Sequence, residues 1–285
     1  MIRRLSTLTQ RNQHNLACLI IGDEVLGGKT VDTNSAFLAK LCFSSGLSLK
    51  KIVVIPDDEV AIVQTVQDIS AEFEGGHVIT SGGIGPTHDD ITYASIAKAF
   101  NLSLVRHDET CSLMQKIAHT RDPSTPFDLN PGRLRMATLP SPAAVTFPCP
   151  DLWVPVVSAN NNVHIFPGVP KLFQQLVSNF LQNSIIPTVP TITPFIRRQI
   201  GTEKLESEIA DVLTKWQNYA NIQKSGIQIG SYPKFLPIKV NSLDNTPRML
   251  RVVISVVGKD EQAVGAVITG IQSEINDSFN WKEDA

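Results

Sequence analysis

Apolar and polar positions recur with two different periods along the chain, and the switching between them predicts strands that alternate with helices. The segment LACLII (16–21) is a continuous apolar run, typical of a strand buried on both faces of a parallel sheet. The next elements are a helix at 35–46, a strand at 49–55, a helix from Val60 to Ile69, a strand at 77–80 and a helix at 91–100. This order predicts an α/β fold with three α/β/α layers and a mostly parallel sheet.

The regular pattern stops between Arg121 and Pro150, where prolines recur. We predict an irregular excursion there, with one short strand at 133–139. The elements predicted after it are strands at 153–157 and 163–166, a hairpin turn at 159–162, and a helix from Pro170 to about Leu181.

A proline-rich stretch at 186–194 predicts a linker between two domains. We therefore expect an N-terminal tail at 1–15, an α/β domain at 16–185, a linker at 186–194 and a small α+β domain at 195–285. The βαββα pattern of the last segment is similar to part of a ferredoxin-like or KH-like unit.

Composition narrows the functional classes. Apolar residues make up 42% of the 285 residues and charged residues 18%, as in ordinary globular proteins. The net charge of −2 argues against a nucleic-acid partner, and no apolar run approaches the roughly 20 residues that span a membrane. The four cysteines are widely spaced and form no metal-binding pair, which favours reduced thiols and a cytoplasmic, or also nuclear, location. The arginines of the tail leave a mitochondrial location as an alternative.

The most informative stretch is 80-TSGGIGPTHDDIT-92, which follows a predicted strand. Gly82, Gly83 and Gly85 can turn sharply and leave backbone N–H groups uncovered for an anion. Thr87 and Asp90 have the spacing of a capping box, which predicts that the next helix starts there. The loop is neither a Walker A loop nor a dinucleotide fingerprint. For the glycines alone, a purely structural turn remains an equal alternative.

Two pairs of adjacent carboxylates follow strand ends. Asp23 and Glu24 come after the first strand, and Asp89 and Asp90 lie in the glycine loop. Neighbouring parallel strands bring such loops to one edge of the sheet, where four carboxylates beside a phosphate would repel it unless a cation lies among them. Oxygen ligands suit Mg²⁺ or Mn²⁺, with Co²⁺ as a further candidate. The alternative is a pair of solvated acidic loops.

Further candidates lie close to these loops. Asp57 and Asp58 could reach a ribose hydroxyl, but we favour capping of the next helix. Lys29 could neutralise phosphate charge or be solvated. The additional residues assigned to nucleotide binding are Ser81, Thr87, Thr33, Asn34 and Gly168.

The segments GDE, DTNS (32–35), GGIGPTHDD and PGVP (167–170) resemble, in this order, the molybdopterin-binding-like fold of MoaB/Mog-type and CinA-type proteins. The GPTHDD form, NPGR (130–133), VHIFPGVP and IGSYP (229–233) are most similar to the N-terminal domain of eukaryotic FAD synthases. The chain contains no adenylyl-transferring half, so we expect hydrolysis rather than FAD synthesis. It also has Leu172 where bacterial CinA proteins usually have a glutamate.

The resemblance implies a divalent-metal-dependent pyrophosphatase that cleaves FAD to FMN and AMP, or ADP-ribose. In this hypothesis Asp23, Glu24, Asp89 and Asp90 hold the metal and orient the attacking water. The rivals are adenylyl transfer to molybdopterin and a non-catalytic module that binds a nucleotide or a pterin. Related folds assemble as dimers or trimers, so we expect a homo-oligomer.

Overall fold

A computed structural model describes residues 14–124, 126–242 and 246–281. Most of the predicted tail, residues 1–13, lies outside the described residues. The chain divides into two compact units, Met1–Ile192 and Thr193–Ala285.

The first unit is built from strands and helices in alternation. Its strands are β1 (Asn15–Ile21), β2 (Ser48–Ile55), β3 (His77–Ser81), β4 (Ser103–Arg106), β5 (Thr138–Ser141), β6 (Ala144–Thr146), β7 (Val156–Ala159) and β8 (Val163–Phe166). Its α-helices are α1 (Asp23–Leu26), α2 (Thr33–Ser45), α3 (Glu59–Glu72), α4 (Thr92–Ala99), α5 (Asp108–Arg121), α6 (Pro131–Met136) and α7 (Pro170–Phe180).

Six strands form the central sheet in the order β2-β1-β3-β8-β7-β6. The pairs β2/β1, β1/β3 and β3/β8 are parallel, whereas β7 and β6 are added antiparallel. Helix α2 packs with α7, and α3 packs with α4. Right-handed crossovers place these two pairs on opposite faces, which confirms the predicted three-layer, mostly parallel fold.

The chain leaves β1 towards β2 on one side and then returns to β3 on the other. This reversal makes the carboxyl ends of β1 and β3 a topological switch point, where ligands of such folds bind. Strand β1 holds the switch point in place because every residue from Leu16 to Ile21 is buried, none being more than 4% exposed. The continuous apolar run of this strand is therefore buried on both faces, as predicted.

The irregular excursion contains more structure than the sequence suggested. The short strand predicted at 133–139 is wrong, because 131–136 forms α6 and only 138–141 forms β5. Asn130 caps α6 by accepting from the backbone N–H of Arg133 at 3.0 Å, and Pro131 fits the first turn. Helix α5 lies ahead of this segment and had not been predicted.

Helix α2 starts at Thr33, two residues before the predicted start at residue 35. It is capped by Asp32, whose Oδ1 accepts from the backbone N–H groups of Asn34 (3.0 Å) and Ser35 (2.9 Å). The left-handed Gly46, at φ 77°, ends it as predicted. The four cysteines are free and buried.

A chain of hydrogen-bonded polar side chains lies towards the amino-terminal edge of the same sheet, with His164 buried and His77 and Ser158 partly buried. His77 Nδ1 lies 3.0 Å from His164 Nε2, and His164 Nδ1 lies 2.8 Å from Ser158 Oγ. Burial lowers the pKa of His77 to about 4, and burial together with the charge of His77 lowers the pKa of His164 to about 3. Both imidazoles are therefore neutral in the folded protein at pH 7.

The second unit has its own core. Its elements are β9 (Ile196–Thr202), α8 (Glu206–Ile222), β10 (Gln228–Asn241), β11 (Pro247–Gly258), α9 (Glu261–Glu274) and β12 (Ser278–Asn280). The antiparallel sheet order β10-β11-β9-β12 is that of a ferredoxin-like βαββαβ unit. The proline-rich stretch begins as part of the first unit, because Val189 is buried in the core of that unit.

None of the helices in the described part of the chain is long and apolar enough to cross a membrane.

Candidate functional site

The glycine loop begins directly after β3, at the switch point. Gly82 has φ +118°, and a Cβ there would lie 2.0 Å from the carbonyl oxygen of Ile21 at the end of β1. Gly83 has φ +64°, and a Cβ there would lie 2.2 Å from Thr92 Oγ1. Both positions therefore require glycine, for conformation and for space.

The hydrogen bonds of the loop correct the predicted phosphate cradle. The N–H of Gly82 already donates to the carbonyl oxygen of Phe166 at 3.2 Å, and the N–H of Gly85 donates to Asp90 Oδ1 at 2.5 Å. Within the described residues, the N–H groups of Gly83 and Ile84 have no hydrogen-bond partner. The loop can therefore offer Gly83 and Ile84 to an anion, and not the N–H groups of all three glycines.

Asp90 holds the loop in shape. Its Oδ1 accepts from Gly85, and its Oδ2 accepts from the N–H of Thr87 at 2.8 Å and from the Thr87 hydroxyl at 2.6 Å. The predicted capping box is wrong, because α4 starts only at Thr92 and its N-cap residue Ile91 makes no side-chain cap. With three donors on its two oxygens, Asp90 is a positioning residue and a poor choice as a metal ligand.

Another acidic residue, Asp57, lies at the same carboxyl edge of the central sheet. The backbone N–H of Asp23 donates to Asp57 Oδ2 at 3.0 Å. Burial raises the pKa of Asp57, the hydrogen bond from Asp23 opposes that effect, and the charges of Asp23, Glu24 and Asp89 raise the pKa further. The charges of Asp23, Glu24 and Asp89 therefore lie close enough to Asp57 to disfavour its ionised form.

Asp57 is the site residue for which our sequence interpretation favoured helix capping. The cap of α3 is Asp58, whose Oδ1 accepts from the N–H of Ala61 at 2.9 Å, so Asp57 is free of that role. A Cβ built on Gly83 would lie 3.4 Å from Asp57 Oδ1, which places this carboxylate beside the glycine loop. Its position just after β2, at the carboxyl edge of the sheet, was the available signal.

The predicted carboxylates do not form a ready-made metal site. In the ranges 14–124, 126–242 and 246–281, no three His, Cys, Asp or Glu side chains are grouped so that they could hold a metal ion. Asp23, Glu24 and Asp89 are exposed to solvent, and Asp89 Oδ1 lies 3.9 Å from His88 Nδ1. An ion bound here would need further ligands from the substrate or from water.

A cavity of about 530 Å³ lies over the switch point. Such a volume is within the range of small-molecule sites. Its polar walls contain Glu24, Lys29, Thr33, Asn34, Asp57, Ser81, Gly82, Gly83, Gly85, Asp89, Asp90 and Gly168. Met136 of the excursion, together with Trp153 and Val154 beyond it, adds an apolar wall that the sequence did not indicate. Thr87 does not line the cavity, and its hydroxyl is bound to Asp90.

Two helix N-termini also face the cavity. Helix α2 contributes Thr33 and Asn34, and the turn before α7 contributes Gly168. A Cβ on Gly168 would lie 3.2 Å from the Cα of Gly82, so the two backbones approach closely. The positive ends of both helix dipoles favour an anion between them.

The fold and the site define a three-layer α/β protein with a ligand cavity at its topological switch point. Residues 17–190 match the family described as probable molybdopterin binding domain, and the chain belongs to this family. Residues 194–283 match the family described as FAD synthase, middle domain.

Relatives and solved structures agree with this assignment. The chain is 33% identical over 235 residues to a probable FAD synthase of Caenorhabditis briggsae, and the alignment covers 76% of this chain and 43% of the relative. It is 32% identical over 257 residues to the probable FAD synthase of Caenorhabditis elegans, with 84% and 48% covered. The chain thus spans less than half the length of these relatives. The crystal structure of a CinA protein from Thermoplasma acidophilum aligns with a TM-score of 0.52 and 28% identity, over 60% of this chain and 98% of the other.

Proposed function

We propose that the chain is a divalent-metal-dependent hydrolase of nucleotide diphosphates, which cleaves FAD to FMN and AMP or acts on ADP-ribose-type dinucleotides. One observation carries this proposal: Gly83 and Ile84, whose backbone N–H groups have no partner among the described residues, line the same cavity of about 530 Å³ as the carboxylates of Glu24, Asp57 and Asp89, with the charge of Asp23 close to Asp57. The match of residues 194–283 to the middle domain of FAD synthase supports a flavin nucleotide as the ligand.

The proposed roles follow from which groups are still available. Gly83 and Ile84 would donate their N–H groups to the pyrophosphate, with the N-termini of α2 and α7 adding positive potential. Asp90 would keep the loop in this shape.

Asp23, Glu24 and Asp89 would hold a divalent ion, for which carboxylate oxygens are suitable ligands. Mg²⁺ is commonly bound by one or two carboxylates together with substrate phosphates, which suits carboxylates that form no complete metal site among the described residues. When bound, such an ion would neutralise phosphate charge and polarise the phosphorus–oxygen bonds.

Asp57 would accept a proton from the attacking water. The water oxygen forms a bond to one phosphorus, and the bond from that phosphorus to the bridging oxygen breaks, so that FAD and water give FMN and AMP. A general base works best with a pKa nearer to the operating pH, and burial shifts Asp57 in that direction.

The test is incubation of the protein with FAD, ADP-ribose or related dinucleotides in Mg²⁺, Mn²⁺, Co²⁺ or chelator, followed by chromatographic detection of AMP. We expect AMP only in the presence of metal. Tight nucleotide binding without AMP under any condition would refute hydrolysis and favour a binding module. ATP-dependent adenylylation of molybdopterin would favour the transferase alternative instead.

A further inference from the structure

Asn34 is held at the floor of the cavity by two hydrogen bonds from its amide nitrogen. Nδ2 donates to Ser81 Oγ at 2.9 Å and to the carbonyl oxygen of Gly168 at 2.8 Å. The hydroxyl of Ser81 in turn donates to the carbonyl oxygen of Pro167 at 3.3 Å. Both partners of Nδ2 therefore act as acceptors.

This network fixes the orientation of the amide. A flipped side chain would place the oxygen of Asn34 against the carbonyl oxygen of Gly168, and two acceptors repel each other. Both protons of Nδ2 are thus used inside the protein. Asn34 cannot donate to a phosphate in this arrangement, which changes the phosphate-binding role that the sequence suggested.

The oxygen of the same amide has the opposite property. Asn34 is 7% exposed, and its Oδ1 is buried without a hydrogen-bond partner in the described residues. A buried acceptor without a donor costs free energy. The side chain lines the cavity, so a donor from a bound ligand can relieve this cost.

The position of Oδ1 limits the chemical class of that donor. Asn34 is bonded to Ser81, the residue before Gly82, and to Gly168, whose backbone approaches that of Gly82. Oδ1 of Asn34 therefore lies beside the start of the glycine loop. Phosphate oxygens of a dinucleotide carry no proton at neutral pH, whereas the hydroxyls of the attached sugar are the nearest donors along the molecule.

We propose that Asn34 Oδ1 accepts a hydrogen bond from a sugar hydroxyl of the bound nucleotide, and so selects a hydroxylated ribose or ribityl chain next to the pyrophosphate. This inference rests on the proposed function and adds its specificity determinant. Because Oδ1 is enclosed, neighbouring atoms must shift slightly as the hydroxyl arrives, and the unsatisfied acceptor favours that shift.

The test is calorimetric binding of ADP-ribose with a methylene group in place of the bridging oxygen, which cannot be hydrolysed. It is compared with analogues that each lack one sugar hydroxyl. We expect one analogue to bind about 5- to 150-fold more weakly to the wild-type protein, since satisfying a buried acceptor is worth about 1–3 kcal/mol at ~1.4 kcal/mol per tenfold. The others should bind within about twofold of the parent.

Asn34→Ala should bind the parent compound more weakly and lose the discrimination against that one analogue. Ser81→Ala is the matched control, because it removes a partner of Nδ2 and leaves Oδ1 in place, so it should keep the discrimination. If Asn34→Ala does not fold, the analogue series on wild-type protein decides alone.

Equal binding of all analogues to the wild-type protein would overturn the inference and leave the proposed hydrolase function standing. Discrimination that persists in folded Asn34→Ala would also overturn it. If neither FAD nor ADP-ribose is bound or cleaved, the proposed function falls as well, so the two failures are distinguishable.

Discussion

Replacing Asp57 by asparagine tests the assignment of the general base most directly. Asparagine has almost the same shape, and its Oδ1 can still accept the N–H of Asp23, which now bonds to Asp57 Oδ2 at 3.0 Å. The substitution therefore removes charge and basicity with little change in packing. It also relieves repulsion from Asp23, Glu24 and Asp89, so the free energy of unfolding should stay equal or rise slightly.

The expected loss of activity follows from the proposed proton transfer. A positioned general base contributes about 10²- to 10⁴-fold to the rate, so kcat for AMP release should fall by about that factor, equivalent to roughly 3–5 kcal/mol in the barrier. The Kd for a non-hydrolysable dinucleotide should be unchanged or lower, because one negative charge near the phosphates is gone.

The pH profile provides a second readout. Burial raises the pKa of Asp57, whereas a divalent ion held by Asp23, Glu24 and Asp89 would offset the effect of these charges. Activity should fall as the pH drops through the pKa of Asp57, because the base becomes protonated. Asp57→Asn should lack that acid limb of the profile.

Asp58→Asn is the matched control. Asp58 caps α3, and asparagine is an equally good cap, so this variant should keep wild-type kcat and stability. The assay is metal-dependent release of AMP under saturating FAD. A kcat for Asp57→Asn within about fivefold of wild type would refute the role of Asp57 as base.

Three further outcomes follow from the contacts of the first unit. Gly82→Ala should lower the free energy of unfolding, measured in urea, by more than about 3 kcal/mol, because the residue has φ +118° and its Cβ would lie 2.0 Å from the carbonyl oxygen of Ile21. Gly28→Ala is the control: it is strained at φ +71° but its Cβ would lie in open space, so it should cost only about 1 kcal/mol. Asp90→Ala should lower kcat/KM at least about tenfold and speed hydrogen exchange of the loop amides at 85–90. Unchanged exchange would show that Asp90 does not hold the loop in shape. Burial lowers the pKa of His77 and His164 below the unfolded value of about 6.5, so the unfolded chain binds more protons than the folded chain between pH 6.5 and 4. The free energy of unfolding should therefore fall, as the pH drops through this range, by up to about 1.4 kcal/mol per pH unit for each histidine. His77→Gln should reduce that slope, and an unchanged slope would argue against the buried pair.

The sequence by itself determined the layers of the first unit and the location of the site. Periodicity identified β1, α2, β2, α3, β3 and α4 in order, because helix and strand patterns are local properties of the chain. The adjacent glycines after β3 marked the loop, since a strand end followed by glycines in an α/β pattern lies at the ligand edge of the sheet.

Only the tertiary structure decided which groups remain available there. The N–H groups of Gly82 and Gly85 look equivalent to that of Gly83 in the sequence, yet Phe166 and Asp90 occupy the first two. Hydrogen-bond partners 5 to 84 residues away along the chain are set by strand pairing and loop packing, which no local pattern encodes.

The same reason separates the neighbouring aspartates after β2. Asp57 and Asp58 are both plausible helix caps by sequence, but in the structure Asp58 caps α3 and Asp57 accepts from the backbone of Asp23, 34 residues earlier in the chain. The sequence thus supplied the chemical inventory of the site, and the packing of distant segments determined the role of each member.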